Sequence, residues 1–130
     1  MKVAFVCVHN SCRSQMAEGY LRALGGDAFT VYSAGTENYP KVKDGAIEAM
    51  KLDGIDIGNQ YPKTLDALPK DLDLIVTMGC GVECPYIPAK AREDWDIDDP
   101  SGQPLEKFIE ARNKIREKVV QLVEKQKKGV

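Results

Sequence analysis

The chain has 130 residues, 43% of them hydrophobic and 29% charged, with a formal net charge of −2. That balance suits one soluble globular domain over residues 1–130 with a single core. It excludes the broad basic field that nucleic acid or an acidic membrane would require, and no segment approaches the ~20 apolar residues of a bilayer span.

Lys2 to Val8 is a short apolar run that predicts a strand buried on both faces. It is too short for the core of a signal peptide and ends at His9-Asn10 with no small-residue cleavage site, so a cytoplasmic protein is expected. A polar loop, His9 to Arg13, comes next. From Ser14 the period turns helical, with Met16, Ala17, Tyr20, Leu21 and Leu24 on one face and Gly25-Gly26 as the stop. Phe29 to Ser33 predicts a second strand, and Gly35 to Pro40 a loop. A second helix follows from about Asp44 to Asp53, turned inward by Ile47 and Met50 and closed by Gly54.

Thr64 to Leu68 predicts a short helix, and Leu72 to Thr77 a strand with Leu74, Ile75 and Val76 at its centre. Gly79 to Pro88, rich in Gly, Cys and Pro, reads as an adaptable loop or a marginal helix. Ala91 to Ile97 predicts the last strand. The helical period returns from Leu105 and runs through Phe108, Ile109, Ile115, Val119, Leu122 and Val123. Near the C-terminus Glu117 and Glu124 interleave with lysines, the pattern of a solvated helix face. Strands alternating with helices imply an α/β fold, a parallel sheet with helices on both faces. Ligands of such sheets bind beyond the carboxyl ends of the strands, which directs attention to residues 7–14.

There the chain reads Cys7-Val8-His9-Asn10-Ser11-Cys12-Arg13-Ser14. A cysteine ends a strand, five residues make a loop, and an arginine opens a helix. Such a loop can curl so that successive N–H groups face inward as a nest for a tetrahedral anion. The helix adds its positive end, and Arg13 a planar fork for two anion oxygens. The same field favours the thiolate of Cys7, and Ser14 can donate to its sulfur. The bland alternative makes Cys7 a core cysteine and Arg13 a surface charge, but it leaves the strand–loop–helix context and the Arg-Ser pair unexplained.

The stretch Cys7 to Gly19 resembles the signature of arsenate reductases built on the low-molecular-weight tyrosine phosphatase fold. The likeness extends to Ser33-Ala34-Gly35, Gly54-Ile55-Asp56-Ile57, the cysteine pair Cys80 and Cys84, and Glu93-Asp94-Trp95 leading to Asp99-Pro100. It implies a three-layer sandwich around a four-stranded parallel sheet, and attack of Cys7 on arsenate. A reductase must also supply two electrons, which one disulfide formed from two thiols provides. Cys80 and Cys84 suit that demand, since they follow a strand and their i,i+4 spacing puts both sulfurs on one face of a helical segment. The expected order is attack of Cys80 on Cys7, release of arsenite, then attack of Cys84 on Cys80. An external thioredoxin or glutaredoxin would reopen the last disulfide. The family's cysteine gap is longer than the three residues here, so the choice between these reductants stays open. The competing use of these cysteines, a zinc site with Cys7, Cys12 or His9, fits poorly to the usual ligand spacings, so no metal and no cofactor are expected.

The resemblance singles out Asp99, before Pro100, as the general acid, with Asp98 as runner-up. Ser101-Gly102 follows where phosphatases of this fold place an aromatic wall, which favours a small inorganic substrate. Asn10 resembles a residue that holds the loop backbone, and His9 reads as a solvent-facing loop residue or a group tuning the anion site. Cys12 lends the loop its N–H, and its thiol could form an off-path disulfide with Cys7. Some relatives hold potassium behind the loop through side chains matching Asn10, Glu18 and Ser33 and an aspartate near position 63. Lys63 stands there instead, so its ammonium is expected to replace the cation. Two further readings remain: a low-molecular-weight protein phosphatase, and a non-catalytic oxyanion-binding module. A monomer is expected.

Overall fold

A computed structural model of the chain describes residues 1–37, 40–78 and 87–128. The first strand, β1 (Lys2–Cys7), is followed by α1 (Arg13–Gly25), β2 (Thr30–Gly35), α2 (Asp44–Leu52), β3 (Leu72–Thr77), β4 (Ala89–Asp94) and α3 (Leu105–Lys128). The four strands form one parallel sheet in the order β2-β1-β3-β4. Residues 79–86, with the predicted relay cysteines Cys80 and Cys84, lie outside the described residues.

β1 is central, and its side chains alternate between the faces as a strand's must. Val3, Phe5 and Cys7 join the larger core, with Met16, Tyr20 and Leu21 of α1 and Ile115, Val119 and Leu122 of α3. Ala4 and Val6 face the other way, into a smaller cluster with Leu72, Ile75 and Ile87. Both faces are therefore covered, which is why the run from Val3 to Val6 is apolar throughout. α2 sets Ala46, Ala49 and Met50 into the larger core. Among the described residues the layer over the second face is thinner. The predicted helix at Thr64 to Leu68 is a 3₁₀ turn, Leu65–Ala67, and Leu65 and Leu68 pack on the small cluster.

Two expectations shift. The last strand begins at Ala89 rather than Ala91 and ends at Asp94, pairing Leu72 with Ala89 and Thr77 with Asp94. It is an edge strand with a largely exposed, charged sequence, so its apolar pattern is weak. Trp95 and Ile97, placed inside the predicted strand, are buried just beyond its end, and Trp95 tilts against Phe5 with ring centroids 5.5 Å apart. On α1, Leu24 is 44% exposed, whereas every residue from Arg13 to Leu21 is buried. The first half of this helix is enclosed by polar partners as well as by the core.

The strand order places β1 beside both β2 and β3, so the chain turns to opposite sides at the carboxyl end of β1. This is the switch point at which open α/β sheets bind ligands. Cys7 ends the strand there. Met78, just after β3, donates its N–H to Val6 O at 3.2 Å, so the chain leaving β3 departs right beside Cys7.

Candidate active site

The loop between β1 and α1 is turned inside out by its neighbours. Cys7 O accepts from Thr36 N at 3.2 Å, Val8 O from Glu37 N at 2.9 Å, and Ser11 O from Lys43 N at 2.7 Å. Cys12 O takes the first helical bond, from Met16 N at 2.9 Å, and Asn10 O accepts from Gln15 Nε2 at 2.9 Å. With the carbonyls engaged outward, the loop amides are left for the concave side, where an anion nest needs them. Thr36 and Glu37 come this close because Gly35 has no side chain. A Cβ there would stand 2.6 Å from Val8 O and 2.9 Å from Asn10 N.

Asn10 makes the turn. It has φ of 54°, the left-handed region that asparagine tolerates better than most residues, and it is fully buried. Its side chain spends every group on holding that conformation. Nδ2 donates to Ser14 Oγ at 2.7 Å, and Oδ1 accepts from Gln15 Nε2 at 3.0 Å and from Lys63 N at 2.9 Å. The holding role expected for Asn10 is thus its position here. Gln15 is the partner that sequence reasoning missed; it is fully buried and its amide is in turn engaged by Gln60 at 2.7 Å. A glutamine inside an otherwise buried helical turn was the available signal.

Cys7 is 4% exposed, and its Sγ lies 2.9 Å from Ser14 Oγ. Ser14 already accepts from Asn10, which frees its hydroxyl proton for the sulfur. Cys7 and Cys12 are both free and buried. Burial pushes the Cys12 thiol far above its ordinary range, with Asp99 and Cys7 adding to the effect and Arg13 and Lys43 opposing it. Cys12 therefore stays a thiol at neutral pH and is a poor nucleophile.

Arg13 is 8% exposed and ties three parts of the chain together. Its Nη1 donates to Met78 O and, at 2.7 Å, to Ile97 O, while Nη2 stands 3.9 Å from Asp99 Oδ2. One corner of the guanidinium is thus committed to the scaffold, and the Nε–Nη2 edge remains for an anion. Asp99 Oδ1 is pinned by Ser101, which donates from N at 3.0 Å and from Oγ at 2.8 Å. Burial alone would raise the Asp99 carboxyl. The Ser101 bonds and the charges of Arg13 and Lys43 outweigh it and hold the group below the ordinary aspartate value.

A cavity of about 210 Å³ is lined by this loop together with Arg13, Asp99 and Ser101. Cys7, Val8, His9, Ser11 and Cys12 reach its wall. Of the two candidate acids, Asp99 lines this cavity and also the neighbouring hollow beside Lys107 and Glu110, while Asp98 lines only that hollow. His9 lines the cavity with its side chain 42% exposed and its Nε2 3.6 Å from Glu37 Oε1. Glu93 accepts from the Trp95 indole at 3.1 Å and Asp94 from Thr77 at 2.6 Å, so both serve the end of the sheet. Among the described residues no group of three or more acidic, histidine or cysteine side chains is arranged to hold a metal. No helix among them is long and apolar enough to cross a membrane.

An anion nest, a helix N-terminus, a guanidinium edge, a thiol and a carboxyl around one small cavity can hold a tetrahedral oxyanion and attack its central atom. The sequence pattern of the low molecular weight phosphotyrosine protein phosphatases matches residues 2–130. The chain is 41% identical over 128 residues to a glutaredoxin arsenate reductase of Synechocystis sp., covering 95% of this chain and 97% of the other. It is 42% identical over 118 residues to an arsenate reductase of Staphylococcus aureus, covering 88% and 89% respectively. A solved structure described as an arsenate reductase in the phosphate binding state superposes with a TM-score of 0.87 at 41% identity, over 95% of this chain and 97% of that one.

Proposed function

This chain belongs to the low molecular weight phosphotyrosine protein phosphatase family, and we propose that its reaction is the reduction of arsenate to arsenite. The Cys7 thiolate attacks arsenic while the loop amides and the Arg13 edge hold the arsenate oxygens. Asp99 delivers a proton to the departing oxygen. In the free protein Asp99 is held as a carboxylate; the incoming hydrogen arsenate, bringing negative charge beside it, raises its proton affinity and carries the proton that Asp99 takes up and passes to the departing oxygen. Cys80 then attacks Cys7. A Cys7–Cys80 disulfide forms, the sulfur–arsenic bond breaks, and its electron pair leaves with arsenic as arsenite. Cys84 attacks Cys80, and an external dithiol protein, thioredoxin or glutaredoxin, reduces the resulting Cys80–Cys84 disulfide.

The observation that carries this reading is the anchoring of Met78. Its N–H is bonded to Val6 O beside the nucleophile, and its carbonyl accepts from Arg13. Cys80 is two residues further on, a span of at most about 7 Å along the chain. A phosphatase has no need of two thiols following that anchor. The test supplies arsenate with thioredoxin or glutaredoxin, their reductases and NADPH, and follows NADPH loss. Arsenate-dependent turnover should appear with one of these reductants and fall by several orders of magnitude in Cys7→Ser. Efficient hydrolysis of an aryl phosphate without arsenate reduction would overturn the reading in favour of a phosphatase. Failure to turn over either substrate would mark an oxyanion-binding module.

Behind the loop, the residues present do not fit the potassium ion of some relatives. The buried Glu18 accepts from Ser33 and pairs with Arg22 Nη2 at 2.8 Å, and Lys63 Nζ stands 3.8 Å from its Oε1. Lys63 also donates to Tyr61 O at 2.7 Å. An ammonium beside Glu18 supplies the charge that an ion would bring, and repels a second cation. Turnover should therefore be the same in sodium and potassium salts at equal ionic strength, and clear stimulation by potassium would refute the substitution.

A further inference from the structure

We propose that Lys43 is a positioning residue of the oxyanion cavity, a second cation that together with Arg13 draws a multiply charged oxyanion past the carboxylate of Asp99. The proposal rests on the reading of the cavity as an oxyanion site and deepens it.

The charge balance motivates it. A cysteine that must be anionic to react lines the cavity, and Asp99, held as a carboxylate, lines it too. An arsenate or phosphate ion near neutral pH brings one to two further negative charges. Arg13 supplies one positive charge, and part of its guanidinium is spent on Met78 O and Ile97 O. One cation leaves the occupied site strongly negative, and the loop amides contribute only partial charges.

Lys43 is fixed where it can make up the difference. Its N–H donates to Ser11 O at 2.7 Å, so its backbone is stitched directly to the anion loop. Its carbonyl accepts the first bonds of α2, from Ala46 N at 3.1 Å and Ile47 N at 3.2 Å. The residue is half-buried at the N-terminal end of that helix. Its ammonium favours the ionised forms of both Cys12 and Asp99, the smallest of the effects acting on each, and both residues line the cavity. A charge that acts on two of the lining groups also acts on an anion held in that cavity. These bonds are made by backbone groups, so replacing the side chain removes the charge and keeps them.

The test compares wild type with Lys43→Met, Lys43→Arg and Lys43→Glu. Equilibrium binding of inorganic phosphate is measured by calorimetry at several salt concentrations, alongside kcat and KM for arsenate. Lys43→Met should weaken phosphate binding by about 3- to 10-fold at low salt, raise KM by a similar factor and leave kcat within about twofold. The loss should shrink as salt screens the charge, Lys43→Glu should lose more, and Lys43→Arg should bind as wild type does. Phosphate binding unchanged in Lys43→Met and Lys43→Glu overturns the proposal and leaves the reductase reading intact. A Lys43→Arg variant as impaired as Lys43→Met also overturns it, since shape and not charge would then be at stake. If the wild type reduces no arsenate but its phosphate affinity still falls in Lys43→Met, the reductase reading fails and this one stands. Absence of phosphate binding by the wild type sinks it.

Discussion

Given excess arsenate and no external reductant, Cys84→Ser should release close to one arsenite per chain, whereas Cys80→Ser should release almost none. The difference follows from where the electron pair is needed. Arsenic leaves only when a second sulfur attacks Cys7 and takes over its bond, and the proposed relay assigns that sulfur to Cys80. In the proposed order Cys84 acts one exchange later, after arsenite has gone, and takes the disulfide off the buried Cys7. Cys84→Ser should therefore stall as a Cys7–Cys80 disulfide, and Cys80→Ser as an arsenylated Cys7. Disulfide mapping by mass spectrometry distinguishes the two. With reductant present, steady turnover should fall by at least about a hundredfold in both variants, because a disulfide at the buried Cys7 is a poor target for a second protein. Equal arsenite bursts from the two variants would reverse or abolish the order. Undiminished steady turnover in either would show that the altered cysteine carries no electrons.

The parts of this site that were legible in the sequence are those made by neighbours in the chain. Cys7, the five-residue loop, Arg13 and Ser14 stand within one strand–loop–helix unit, and there the local pattern dictates the geometry. Glycine and asparagine carried backbone information as well: Gly25-Gly26 and Gly54 were read as helix ends and Asn10 as a holder of the loop, whereas Gly35 was read only as the start of a loop. The close approach of Thr36 and Glu37 that Gly35 permits depends on a parallel pairing between β1 and β2 that no local pattern specifies. The carbonyl partners of Arg13 are 65 and 84 residues away, at the ends of two other segments, so an arginine read as an anion fork is also a structural clamp. Lys43 and Gln15 went unread for the same reason. A lysine before a helix and a glutamine inside one are ordinary until the fold brings Ser11 and Asn10 against them. The misplaced start of β4 has a different origin: a charged edge strand buries little, so its alternation never rises above that of a loop.

Arg13 is a clamp in the structure and a fork in the proposed reaction, so Arg13→Lys should cost stability and catalysis together. Lysine keeps the positive charge but has a single tetrahedral ammonium in place of five donors in a plane. It can reach toward the cavity or toward the carbonyls of Met78 and Ile97, but it cannot serve both. At least one of two buried acceptors then loses a charge-assisted bond, which is expected to cost about 1–3 kcal/mol, measured by urea unfolding. The catalytic loss should be larger. Paired grip on two oxyanion oxygens is lost, and the segments carrying Asp99 and leading to Cys80 lose their common anchor to the loop that holds Cys7. A fall in kcat/KM for arsenate of about 10²- to 10³-fold is expected, with both kcat and KM affected. The double role has a sharper signature in single turnover. If Arg13 serves only the anion, saturating arsenate should restore the rate of arsenite release in Arg13→Lys. If it also aligns the relay with the nucleophile, that rate should stay depressed at every arsenate concentration, because the step after arsenate has bound is the one impaired. Full recovery at saturation, together with unchanged unfolding, would remove the clamp and leave Arg13 a binding residue alone.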